Sequence, residues 1–146
     1  MEVYLMIQKV IKKAILYLKR CNTIHTTEKR LDIRKLKLLL NTLGFNPTSN
    51  GTLYIIEELE FFYNNGIGEI KYLNEAYIIS ANIHKTDIKN IQWNVESALL
   101  VMNKYADSNL IKEIFYWYDN YKNITPKYFL STMLEFLNEN WEEYKK

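Results

Sequence analysis

Apolar residues recur at three- and four-residue spacing along almost the whole chain, which is the period of a helix packed on one side. The first such stretch runs from about Glu2 to Arg20. Val3, Met6, Ile7, Val10, Ile11, Ala14, Ile15 and Leu18 form its stripe, with lysines opposite. Residues 21–30 are polar and read as a loop. A second helix is predicted over 31–43, with Leu36, Leu39, Leu40 and Leu43 inward, and Gly44 follows it as a C-cap. A loop through Pro47, Ser49 and Asn50 leads to a third helix opened by Gly51 and Thr52 and ending near Tyr63. Asn64, Asn65 and Gly66 then make a turn.

Four more helices complete the pattern. The fourth covers roughly 69–82. The fifth starts after Thr86 or Asp87, both good N-caps, and reaches about Asn103. Asp107, Ser108 and Asn109 open a sixth to about Tyr121. Thr125 and Pro126 open a seventh, ending near Trp141. No strand-like alternation of useful length is present. The expected fold is all-α: about seven helices in a compact bundle, preceded by an extra amphipathic N-terminal helix. The organisation reads as a basic arm, 1–30, followed by one helical domain, 31–146.

Composition agrees. The 146 residues suit one domain, and 4 Gly with 2 Pro disfavour a turn-rich β fold. The single cysteine, Cys21, excludes an internal disulfide and fits a reducing cytoplasm. Neither a targeting segment nor a membrane span is read, so a cytoplasmic location is expected. Charge changes the picture more. Residues 1–41 hold ten cations against three anions, a net of +7, whereas 42–146 hold nine against fourteen, a net of −5. A basic arm on an acidic body fits attraction to phosphates; taken alone, charge fits a solvated face that aids solubility better.

Enzyme signatures are absent, and no catalytic residue, metal or cofactor is expected. The chain has no phosphate-binding glycine loop, nucleophile elbow or HExxH. His25 and His84 lack partners at metal-ligand spacing, and His84 reads as an exposed loop histidine. Glu57 and Glu58 are adjacent, so on a helix they diverge by about 100° and make no facing pair. Cys21 has cationic neighbours but no placed base.

The fourth and fifth helices together carry the functional signal. Tyr77 and Ile78 precede the small Ala81; Ile83 to Thr86 make a short link; Ile88, Ile91, Val95, Ala98, Leu99 and Met102 then line one face. This is the layout of a helix-turn-helix, at about 69–103. The outward face of the fifth helix carries Lys89, Asn90, Gln92, Trp93, Asn94, Glu96 and Ser97. Asn and Gln can pair with adenine, and Lys89 can meet a phosphate. Trp93 fits a thymine methyl, a protein anchor, or another helix of the same chain.

At these residues the chain resembles a known family. The run LGFNPTSNGTLYIIEEL, Leu43 to Leu59, is similar to the opening of the C-terminal DNA-binding effector domain of the sporulation master response regulators (stage-zero sporulation protein A) of endospore-forming bacteria. Gly44, Gly51, Tyr54 and Ile55 fit its two glycines and its Tyr-containing helix. Tyr63-Asn64-Asn65 fits the turn that follows. Tyr77 and Ala81, then Thr86-Asp87, then Ile91, Val95, Ala98 and Leu99 fit its helix-turn-helix. The likeness covers about 33–140. It implies an all-α domain that binds DNA through the fifth helix and regulates gene expression. Two departures stand out. Asn90, Trp93, Glu96 and Ser97 occupy positions where the family has arginine and histidine. The family's receiver domain has no match in these residues, so phosphorylation control is not implied.

The sequence therefore predicts a DNA-binding transcriptional regulator. Its contacts are expected from Lys85, Thr86, Lys89, Asn90, Gln92, Trp93, Asn94 and Ser97, with Lys12, Lys13, Lys19 and Arg20 on the arm. The expected partner is duplex DNA, with AT-rich sequence the candidate. The alternative is a protein-binding antagonist that kept the scaffold and lost DNA binding, partnered by a regulatory protein. Helix 1–20 is expected to make an intermolecular or interdomain contact, because its apolar stripe needs a cover; a homodimer through 1–20 is one solution.

Overall fold

The computed structural model describes residues 3, 5–13, 30–105, 108–116 and 123–146. These form an all-helical fold of α1 (5–13), α2 (Ile33–Thr42), α3 (Asn50–Asn64), α4 (Leu73–His84), α5 (Ile88–Tyr105), α6 (Ser108–Ile114), α7 (Pro126–Glu139) and α8 (Trp141–Tyr144). Among the described residues the only β pairing is an isolated bridge.

The helix starts follow local chemistry. The Asp32 carboxylate accepts from the backbone N–H groups of Arg34 and Lys35, and the Ser49 hydroxyl accepts from that of Thr52. These bonds satisfy donors that have no partner inside the helix. Pro126 sits in the first turn of α7, where its missing N–H is not needed. Beyond α2, Gly44 takes φ 103°, a conformation easy only for glycine.

The core is built around α3. Tyr54, Ile55, Ile56, Leu59, Phe62 and Tyr63 are all buried, so α3 is covered on nearly every side. It packs against α2, α4, α5 and α7. The stripe Leu36, Leu39, Leu40 and Leu43 turns inward as expected, with α3 as the main neighbour of α2; α5 is held instead by α3, α4 and α7. Phe45, from the loop before α3, meets Phe129 of α7 at 5.1 Å between ring centres, and Phe115 stacks on Phe129 at 5.7 Å.

The chain end returns to the start of the domain. Asp32 N–H donates to the Tyr144 carbonyl (2.8 Å), and Lys146 N–H donates to that of Arg30 (2.7 Å). The Lys35 ammonium reaches the Glu143 carbonyl at 2.7 Å. Helix α8 was not expected from sequence. Two boundaries also move. Helix α4 starts at Leu73 rather than near Glu69 and continues through Ile83 and His84, so the link to α5 is only Lys85–Asp87. Helix α6 stops at Ile114, and 117–122 lie outside the described residues.

Candidate nucleic-acid interface

The junction of α4 and α5 is a tight turn. The N–H groups of Lys85 and Thr86 both return to the Ala81 carbonyl, and Lys85 adopts φ 50°, ψ 48°. This is the left-handed helix end usually given to glycine, here occupied by lysine. The next helix starts at once. The Asp87 carboxylate accepts from Asn90 N–H at 2.7 Å, which makes Asp87 the cap between the two sequence candidates.

Ile91, Val95, Ala98, Leu99 and Met102 are buried and fix one side of α5 on the body. Its approach to α3 is unusually close. A methyl group added to Gly51 would overlap the Asn94 carbonyl and come within 2.8 Å of the Ala98 methyl. The glycine that opens α3 therefore sets how deeply α5 sits.

The other side of α5 faces outward. Lys85, Lys89, Asn90, Gln92 and Trp93 are exposed, and Thr86, Asn94 and Ser97 are half-buried. Eight of the sequence-predicted residues thus come together at the α4–α5 turn and on the side of α5 turned away from the body. Trp93 is 69% exposed, so of its three sequence readings the one that packs it against another helix of the same chain does not hold. Lys12 and Lys13 are exposed on α1, a separate element, and Lys19 and Arg20 lie outside the described residues.

Much of the polar hydrogen bonding on this face runs along the helix. The Asn94 amide donates to the Asn90 carbonyl at 2.8 Å, and the Asn90 amide to the Thr86 hydroxyl at 3.1 Å. Gln92 donates to the Glu96 carboxylate at 3.0 Å, and Ser97 to the Trp93 carbonyl at 2.8 Å. Such surface bonds are worth only about 1 kcal/mol each, so base edges can replace them. Charge is balanced: Lys85 and Lys89 are exposed beside Asp87 and Glu96.

Beneath the turn lies a cluster that sequence reasoning missed. His84 ends α4, and its Nε2 lies 2.7 and 3.0 Å from the two Glu57 carboxylate oxygens. The His84 ring also packs on Tyr54 at 5.0 Å, and the Ser80 hydroxyl lies 3.1 Å from Glu57. His84 is therefore a clasp between α3 and α4, not a loop residue. The Glu57 carboxylate stands between Ser80 and His84 and bonds to both, tying α3 to α4. The neighbouring Glu58 is fully buried with neither carboxylate oxygen hydrogen-bonded. Burial, with a smaller push from Glu57, holds its carboxyl well above the usual range. Tyr77, buried nearby, has its hydroxyl pushed up by burial and by Glu58 and Glu96.

Among the described residues no three metal-ligating side chains gather, and no helix is long and apolar enough to cross a membrane. No family model, curated protein or solved structure matches the chain.

Proposed function

We propose that this chain is a non-enzymatic regulator of gene expression, acting in the cytoplasm, that binds duplex DNA through the outward side of α5. The observation that carries this reading is the row from Lys85 to Ser97, presented beyond a three-residue helix-turn-helix link. A helix so mounted can enter a major groove, with Asn90 facing base edges and Gln92 and Asn94 on its two flanks. The resemblance of Leu43 to Leu59 and of the α4–α5 pair to the sporulation-regulator effector domain supports the same reading. With its own charge balanced, α5 contributes little general attraction to phosphates, which leaves that to the arm through Lys12, Lys13, Lys19 and Arg20.

The test is a salt titration on mixed AT-rich duplex DNA. Binding should weaken with salt by a log–log slope of about 0.9 per phosphate neutralised. Absence of binding at low salt, where attraction is least screened, removes the reading.

A second reading is favoured by one observation. Trp93 and Leu100 are 69% and 68% exposed on the same side of α5. Large apolar side chains on a charge-balanced surface fit a protein-binding antagonist that kept the scaffold and lost DNA.

A further inference from the structure

Lys89, Trp93, Glu96 and Leu100 follow one another at spacings of four, three and four along α5, and all four are exposed. That spacing keeps them within about 40° of one line, the arrangement of a seam against which a second helix lies. The body of the protein covers the opposite side of α5 and leaves this seam open. From its charges we infer that the seam pairs with the same seam of a second copy, antiparallel across a two-fold axis.

The pattern is self-complementary. Lys89 and Glu96 bracket Trp93, one cation and one anion placed symmetrically about the middle of the 92–93 pair. An antiparallel copy centred there sets Lys89 against the partner's Glu96, and Glu96 against the partner's Lys89. Each residue pair then occurs twice, as a two-fold interface requires. The two tryptophans meet at the axis, where a large aromatic contributes most to association. Leu100 reaches towards the partner's α4–α5 turn, a region where Ile83 and Lys85 of this chain are also exposed. A parallel arrangement would set Lys89 against the partner's Lys89 and lose both ion pairs. The Gln92–Glu96 hydrogen bond is on the surface and gives way at little cost.

Lys89 and Trp93 belong both to this seam and to the proposed DNA face, so a second copy and a duplex would compete for them. Self-association would hold the domain off DNA. The seam is just over three helical turns long, at the small end for specific complexes, so pairing should be reversible and depend on concentration.

Charge reversal read by sedimentation equilibrium tests the pairing without DNA, so its outcome is separate from that of the DNA reading. Wild-type protein should shift from monomer to dimer between about 10 µM and 1 mM, a range in keeping with an interface of this size. Lys89→Glu and Glu96→Lys should each weaken dimerisation at least about tenfold, because each sets like charges opposite one another twice. Mixing the two variants should restore the dimer as a heterodimer, since each unlike pair then matches. Unchanged circular dichroism shows that the variants fold. Wild type that remains monomeric throughout overturns the inference and leaves the seam to another protein or to DNA. So does a dimer that ignores both reversals; if it also disappears on deleting 1–20, the N-terminal helix is the contact.

Discussion

Gly51 of α3 rests directly against the backbone of Asn94 in α5, with no room for a side chain between the two helices. Within a helix, alanine is ordinarily about 1 kcal/mol better than glycine. Here the sign should reverse. Gly51→Ala drives its methyl into a carbonyl held in the α5 backbone, and overpacking of this kind costs about 1–3 kcal/mol. Urea unfolding should show a lower midpoint for the variant. A raised midpoint would mean that α5 can move away freely.

Burial of Glu58 makes stability depend on pH. Its carboxyl is held well above the usual range in the folded chain, so the native state keeps a proton that the unfolded chain releases near pH 4.3. The native state binds more protons in the interval between the unfolded and folded values, and stability falls there as pH rises. The contribution is complete below the unfolded value and lost as pH climbs through the folded one. Glu58→Gln should flatten this slope. Equal slopes for wild type and variant in urea titrations from pH 4 to 8 would contradict the assignment.

Lys85 holds a left-handed conformation that costs a non-glycine residue about 1 kcal/mol. Lys85→Gly should therefore raise stability by up to about that amount, while Lys85→Val lowers it. The thermal midpoints of the two variants should lie on either side of wild type. A decrease with glycine would show that the lysine side chain makes a compensating interaction.

The Glu57–His84 clasp joins α3 to the last turn of α4. A double-mutant cycle with Glu57→Ala and His84→Ala should give a coupling of about 0.5–1 kcal/mol, since both side chains are only partly buried. Additive effects within about 0.3 kcal/mol would make the pair incidental.

Two classes of variant should separate on DNA. Replacing Lys12, Lys13, Lys19 and Arg20 with alanine should weaken binding to every duplex alike and reduce the salt slope by about 0.9 for each phosphate left without its cation. Asn90→Ala or Asn94→Ala should instead relax preference at one base pair, at about 1–3 kcal/mol on the preferred site only. Uniform weakening by the asparagine variants would remove base reading by α5.

Helix positions were legible in the sequence because a helix is encoded locally. A stripe such as Leu36, Leu39, Leu40 and Leu43, a cap such as Ser49 and a start such as Thr125-Pro126 act within a few residues of one another. The outward side of α5 was legible for the same reason: six apolar residues mark the inward side, and the polar ones must face away. Whether Trp93 belonged outside was not, because tryptophan suits either environment until the neighbouring helices are placed. Only tertiary structure decided the rest. Glu58 lies in a helix with neighbours on nearly every side, so a residue that reads as polar is carried into the core. His84 is held at the end of α4 by Glu57 and Tyr54, 27 and 30 positions earlier, which reach it from α3. Gly51 reads as a helix opening, yet its need for no side chain comes from Asn94, 43 residues away. Periodicity reports which side of a helix is apolar; the distance between two helices depends on which chain atoms meet, and that is set when the elements pack.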